Sequence, residues 1–205
     1  MNQRNKGNDF ERKCVSMLAK VLELEPLSRD NVSTYEISST RFASKELDYK
    51  KIDIYIDPKS SFSNMAIQCK KALHRTAGEH RVELIHLHEV YELSPHMIPM
   101  LFNLVTKKAK KNEMTVGMYA TMYKDHFFNL FKEIPYKYSL IEVECEDKWK
   151  HKKIPIYLVG KKKTNIKYIQ ETTLLKESKS TKYITIYLDH FLKLLKHEKE
   201  RRENK

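Results

Sequence analysis

Four residues in this chain are of types, and at spacings, that could do chemistry together: Glu11, Asp53, Gln68 and Lys70. Asp53 stands inside Ile52-Asp53-Ile54-Tyr55-Ile56-Asp57. Gln68 and Lys70 stand inside Met65-Ala66-Ile67-Gln68-Cys69-Lys70-Lys71. Glu11 lies in the first amphipathic stretch, directly after Phe10. Carboxylate and amide oxygens are hard ligands that suit Mg²⁺ or Mn²⁺. A lysine beside them can orient a water or stabilise a phosphate that is gaining charge. The set suits hydrolysis of a phosphodiester, which needs an activated water, neutralised charge and a protonated leaving oxygen.

Such chemistry needs elements that aim the four groups at one point. Asn8 or Asp9 is expected to cap a helix over Phe10–Leu22, with Pro26 ending it. Phe10, Cys14, Met17, Leu18, Val21 and Leu22 recur at helical spacing, and Glu11 sits at the edge of that stripe. A polar stretch, Ser28 to Lys51, holds a short strand at Val32–Ile37 and a small, basic loop or short helix over Ser39–Lys45. The alternation in Ile52–Asp57 predicts a half-buried strand, Pro58–Asn64 a turn, and Met65–Lys71 a second strand. Gln68 and Lys70 then emerge on one face. His74–Leu93 reads as mixed and partly helical, Met100–Thr106 as a buried strand, Lys107–Asn112 as a basic turn and Met114–Tyr123 as another strand, with Asp125 capping a helix over His126–Lys132.

In order and placement these residues resemble the PD-(D/E)xK, or restriction-endonuclease-like, nuclease superfamily, and within it the phage and bacterial Holliday-junction-resolvase-like group. The resemblance rests on Gly7-Asn8-Asp9-Phe10-Glu11, Asp53-Ile54 and Ile67-Gln68-Cys69-Lys70-Lys71, with Ser39–Lys45 similar to the basic loop before the acidic strand. It covers roughly the first two-thirds of the chain. Lys51-Ile52 stands where a proline is usual, and Gln68 where a second acid is usual. The resemblance implies a metal-dependent deoxyribonuclease with Glu11, Asp53, Gln68 and Lys70 as catalytic residues. It implies Mg²⁺ or Mn²⁺ on Asp53, the Gln68 carbonyl, the Cys69 backbone carbonyl and Glu11, and DNA, duplex or branched, as partner of a homodimer. Arg41, Ser44, Lys45, Lys50, Lys71 and Arg75 flank the site and are candidates for phosphate contacts.

Each residue has a plainer reading. Asp53 suits the polar face of any amphipathic strand, Gln68 and Lys70 an edge strand, and Glu11 a helix surface. Taken together, in this order and in a basic protein, the site is favoured.

Composition agrees with a polyanion partner. The 205 residues carry 39 Lys and Arg against 27 acids, a formal charge of +12. That excess favours phosphate, although a basic face can also meet an acidic protein. Only four glycines are present, and no GxGxxG or GxxxxGK[ST] occurs, so no nucleotide cofactor is expected. The three cysteines, Cys14, Cys69 and Cys145, form no CxxC pair, so reduced thiols and a cytoplasmic, soluble protein are expected, with no membrane partner. His80, His86, His88 and His96 cluster in sequence without zinc spacing.

The last third echoes the middle. Ile98-Pro99-Met100-Leu101 returns as Ile154-Pro155-Ile156-Tyr157, and Tyr123-Lys124-Asp125-His126-Phe127-Phe128 as Tyr187-Leu188-Asp189-His190-Phe191-Leu192. The pattern of strand, lysine-rich turn, strand and Asp-capped helix is a weak repeat. After Leu195 the chain is charged, predicting an exposed helix end or a disordered tail. The expected fold is therefore α/β, a central mixed β-sheet flanked by helices. A restriction-endonuclease-like core spans 1–134, and residues 135–205 form a C-terminal β-hairpin–helix extension. Two other readings stay open: a catalytically inactive DNA-binding module on the same fold, and a basic protein-interaction protein.

Overall fold

The apolar stripe at the start of the chain is the inner face of helix α1 (Gln3–Leu22). The computed structural model describes residues 3–72, 93–106, 116–132, 138–147, 152–161 and 183–204. Helix α1 begins a turn and a half before the expected cap. Gln3, Arg4 and Lys6 are good helix formers, and one interior glycine, Gly7, costs only about 1 kcal/mol. Asn8 and Asp9 are thereby freed from capping and bond to Arg41 and Arg12 instead. The helix also stops before Pro26. Glu23 takes a left-handed conformation, φ 57°, and the Leu24 N–H closes back onto Ala19 O at 3.0 Å, the usual stop when a left-handed residue follows the last turn.

The strand expected at Val32–Ile37 lies further on, as β1 (Ile37–Ser39). Asn31 explains the shift. Its side chain accepts from Ser28 N–H and donates to the Pro26 carbonyl, and its own carbonyl accepts from Thr34 and Tyr35, so this stretch is a turn. Two short helices follow, α2 (Thr40–Ala43) and α3 (Lys45–Tyr49), the latter capped by Ser44. Strand β2 (Ile54–Ile56) then pairs antiparallel with β1, Ser39 opposite Ile54.

The main sheet has six strands: β3 (Met65–Ala72), β4 (Ile98–Val105), β5 (Gly117–Tyr123), β6 (Tyr138–Asp147), β7 (Lys152–Lys161) and β8 (Tyr183–Tyr187). Their order across the sheet is β3-β4-β5-β8-β7-β6, with β3–β4 and β7–β8 parallel and the other pairs antiparallel. The chain thus has the expected mixed sheet flanked by helices. Residues beyond 135 extend that sheet, since β8 pairs with β5. Strand β6 has a clear signal, Ile141, Val143 and Cys145 alternating with Glu142, Glu144 and Glu146. Residues 73–92, the basic turn at 107–112 and the Lys161–Lys163 turn beyond Lys161 lie outside the described residues.

One face of the sheet is apolar. Met65, Ile67, Met100, Phe102, Ala120, Met122, Ile184 and Ile186 share a core with Phe10, Cys14 and Leu18 of α1 and with the helices after β5 and β8. These helices are α4 (Lys124–Leu130) and α5 (Leu188–Glu203). The internal echo is real only at the two strand-to-helix corners. Tyr123 and Tyr187 precede the two helices, each meeting a histidine edge-on, His126 at 5.5 Å and His190 at 6.0 Å. Neither Asp125 nor Asp189 is the cap; each lies in the first turn, where its charge favours the helix N-terminus. The strands before those corners do not repeat. β4 and β5 are antiparallel whereas β7 and β8 are parallel, and the C-terminal hairpin is β6–β7.

The charged segment after Leu195 is neither frayed nor wholly exposed. It continues α5 to Glu203, and Glu198 is only 1% exposed. Burial raises the pKa of Glu198, but bonds from Arg201 and Arg202 at 2.7–2.8 Å outweigh it and hold the carboxyl below the ordinary carboxylate range. Arg202 also lies 4.3 Å over the Phe62 ring and donates to the Ser61 carbonyl, tying α5 to the 58–64 turn. Glu198→Ala removes the buried carboxylate that Arg201 and Arg202 both bond and is expected to cost about 2–4 kcal/mol in urea unfolding. A cost under about 0.5 kcal/mol would show the cluster to be ornamental.

Candidate active site at the edge of the sheet

Strand β3 is the last strand of the six-stranded sheet, so one of its edges is free of ladder partners within that sheet. The residue before β2 docks on that edge. Asp53 N–H donates to the Ile67 carbonyl at 2.8 Å, and the Cys69 N–H donates to Asp53 Oδ2 at 2.7 Å. The carboxylate thus takes the place of a backbone carbonyl in the ladder where β2 and β3 part. Asp53 is also held from behind. Its carbonyl accepts from Thr40 N–H at 3.0 Å, and Thr40 Oγ1 donates to the Ile52 carbonyl at 2.6 Å. In an extended strand the N–H and C=O of one residue point to the same side. The Cys69 carbonyl therefore faces the edge that carries Asp53.

Glu11 reaches the same place from α1 and is 5% exposed. The Ser39 hydroxyl donates to Glu11 Oε1, and Arg41 Nη2 donates to Oε2 at 3.1 Å while Nη1 donates to Asn8 Oδ1 at 2.6 Å. Both partners come from the segment that runs from β1 into α2. This explains how a carboxylate on a helix is kept inside the protein, since a buried charge must be bonded.

Asp53 records who its neighbours are. Its carboxyl is raised from 3.8 to about 6, mainly by burial. The bond from Cys69 N–H pulls it down, the negative charge of Glu11 pushes it up, and Lys70 and Arg41 pull it down. The charges of Glu11 and Lys70 thus both act on the Asp53 carboxyl. They arrive from different sides of β3. Helix α1 covers the face of Met65, Ile67 and Cys69, and Gln68 and Lys70 stand on the other. Gln68 is 7% exposed, and among the described residues no hydrogen bond joins its amide to Asp53 or Glu11.

That second face carries a polar row that sequence reasoning missed. The register aligns Lys70 with Asn103, Asn103 with Tyr119 and Tyr119 with Tyr187, and one step along it aligns Gln68, Leu101, Thr121 and Thr185. Asn103, Thr121 and Thr185 are buried, and the two threonine hydroxyls bond at 3.0 Å. An asparagine in the middle of Met100–Val105 was the available signal. Ser39 as the partner of Glu11 had none, because the two lie 28 residues apart.

The expected phosphate-contact residues have varied settings. Arg41 is 42% exposed at its side chain and is engaged with Glu11. Ser44 caps α3, Lys50 pairs with Glu46 at 2.8 Å, and Lys45 and Lys71 are exposed. Arg75 lies outside the described residues, as do His80, His86 and His88. Among the described residues no helix is long and apolar enough to cross a membrane.

Cys69 packs against Cys14 on the α1 face, and both are free thiols. Burial, then the Cys14 thiol, then the charges of Asp53 and Glu11 push the Cys69 thiol well above its ordinary value. The thiolate is the reactive form. Residue-resolved mass spectrometry after iodoacetamide treatment is expected to find Cys14 and Cys69 unlabelled in native protein and labelled in urea. Native labelling at Cys69 would mean that the β3 edge opens readily.

Among the described residues no group of three His, Cys, Asp or Glu is placed to hold a metal ion, and the protein carboxylates here are two, Glu11 and Asp53. An oxygen-only set of two carboxylates, one amide and one backbone carbonyl is still chemically suited to a hard cation that keeps several waters. The burial of the Asp53 carboxylate on the β3 edge, with the charge of Glu11 acting on it, is the observation that fits this, because added positive charge would offset what disfavours that carboxylate. In comparisons with known proteins, no family model, no curated protein and no solved structure matches the chain.

Proposed function

We propose that this protein is a metal-dependent DNA endonuclease of the restriction-endonuclease-like kind, with its active site at the free edge of β3. The observation that supports the reading is the docking of Asp53 on the edge of β3, where its carboxylate accepts from the Cys69 N–H and feels the charges of Glu11, from α1, and Lys70, from β3. Asp53 and the Cys69 carbonyl would hold Mg²⁺ or Mn²⁺, with the Gln68 amide oxygen as a further ligand and Glu11 bound directly or through a water. When bound there, such an ion would supply an activated water and offset charge on the phosphate. Lys70 stabilises that phosphate or orients the water. Ser39 and Arg41 hold Glu11 in place, and Arg41 adds positive charge where DNA approaches. Branched DNA and action as a homodimer, with two sites meeting two strands, follow from the resolvase-like resemblance.

The test is cleavage of supercoiled plasmid and of a four-way junction by wild type, Asp53→Ala and Lys70→Ala in Mg²⁺ and in Mn²⁺. Equal nicking by all three would place the chemistry elsewhere. One specific observation favours a second reading. Gln68 carries no charge where a second acid is usual, which suits a DNA-binding module without catalysis. Salt-sensitive DNA binding by wild type with no cleavage in either metal would select that reading, and absence of such binding would end both.

A further inference from the structure

A groove opens beside the site and shares Ser39 with it. It has a volume of about 520 Å³, within the range of roughly 300–1,000 Å³ typical of ligand pockets. On α1 it is lined by Val15, Ser16 and Ala19, along the edge of the core stripe. Pro26 and Leu27 form the facing wall. It is also lined by Ser39, the buried residue bonded to Glu11, and by Phe42, which is 76% exposed. Arg12 and Lys20 stand on the α1 rim, and no acidic side chain lines it.

An apolar slot with a cationic rim and an exposed aromatic ring matches one kind of occupant. A nucleobase presents a flat apolar face, and its strand presents phosphates. Proteins that hold single strands combine those two complements, an aromatic platform and a basic track. Arg12 pairs with Asp9 at 2.8 Å, but both side chains are largely exposed, and such pairs break at little cost. Through Ser39 the groove adjoins Glu11 of the proposed site.

We propose that this groove takes an unpaired base of the DNA strand next to the cleavage site, stacked on Phe42 with its flanking phosphates on Arg12 and Lys20. The inference rests on the nuclease reading and narrows its substrate to DNA with a single-stranded extension or flap beside the duplex.

Binding can be measured without metal, so that cleavage does not intervene. Fluorescence anisotropy in EDTA compares a blunt duplex with the same duplex carrying a short unpaired extension that includes 2-aminopurine. Wild type is expected to bind the extended DNA about tenfold more tightly, the scale of stacking one base on an aromatic ring, and to change the 2-aminopurine signal. Phe42→Ala removes the ring, and Ser16→Trp fills the groove from an exposed helix position. Each is expected to erase the preference, so that both DNAs bind alike, with circular dichroism and melting temperature unchanged. Equal binding of the two DNAs by wild type, or a preference that survives both variants, would overturn the groove while leaving the nuclease reading standing. If wild type binds neither DNA in a salt-sensitive way, the nuclease reading falls first.

Discussion

Under the proposed nuclease function, Asp53→Ala is expected to lower DNA cleavage by about a thousandfold, and Lys70→Ala by about a hundred- to a thousandfold, the scale seen when one charge-stabilising group is removed from an active site. The two variants differ in what they should do to metal dependence. Asp53 is docked on the β3 edge by both its backbone and its carboxylate, so no other described side chain can take over its position. Its loss should raise the metal concentration needed for any residual activity. Lys70 reaches the site from the face of β3 opposite α1 and leaves the oxygen donors in place, so its loss should reduce the rate at saturating metal. Glu11→Gln keeps groups that can bond Ser39 and Arg41, and a smaller loss of about 10–100-fold is expected if Glu11 acts through a water. Single-turnover cleavage across a metal titration reads all three. DNA affinity should stay salt-sensitive in each variant, which separates lost chemistry from lost binding.

The second large effect is on stability. The Asp53 carboxyl is raised to about 6 in the folded protein, mainly by burial, against an unfolded value near 3.8. The folded state therefore binds the proton more tightly than the unfolded state does. Between these values stability falls as pH rises, and above about pH 6 the full penalty is present. A shift of this size corresponds to about 2–3 kcal/mol. Asp53→Asn keeps an oxygen for the Cys69 N–H and removes the charge. In EDTA it is expected to be more stable than wild type by about 2–3 kcal/mol near pH 8, with the gain fading as pH falls from about 6 and gone below about pH 4. Urea unfolding at the two pH values checks it. Mg²⁺ or Mn²⁺ should stabilise wild type and not the Asn variant, and its affinity for wild type should weaken as pH falls through about 6, because protons compete for the same carboxylate. An Asn variant no more stable than wild type at high pH would mean that Asp53 is well solvated in the free protein.

The strands at Ile52–Asp57 and Met65–Lys71 were legible because half-buried strands next to a core impose a period of two. The amphipathic α1 was legible for the same kind of reason, and so was the placement of Gln68 and Lys70 on one face. The ends of elements were less so. Glu23 ends α1 with an unusual backbone angle before Pro26 can act, and Asn31 turns residues expected to be extended. Each depends on a few local bonds that residue type alone does not announce. The apparent repeat misled for a different reason. The Tyr-x-Asp-His corners are local and recur in the structure, but whether the strands before them run parallel or antiparallel is set by pairing across the sheet.

The sequence by itself determined the charge of the protein, the α1 core stripe, the strand that carries Gln68 and Lys70, and the residue types that could serve a hard cation. Only the tertiary structure decided that Asp53 fills the open edge of β3, that Ser39 and Arg41 secure Glu11, and that Lys70 and Glu11 approach from opposite faces. It also decided that Glu198, in a segment that reads as solvated, is buried between arginines. The physical reason is common to all of these. Periodicity reports which side of an element meets the core, whereas a buried charge is settled by partners that the chain brings from tens of residues away.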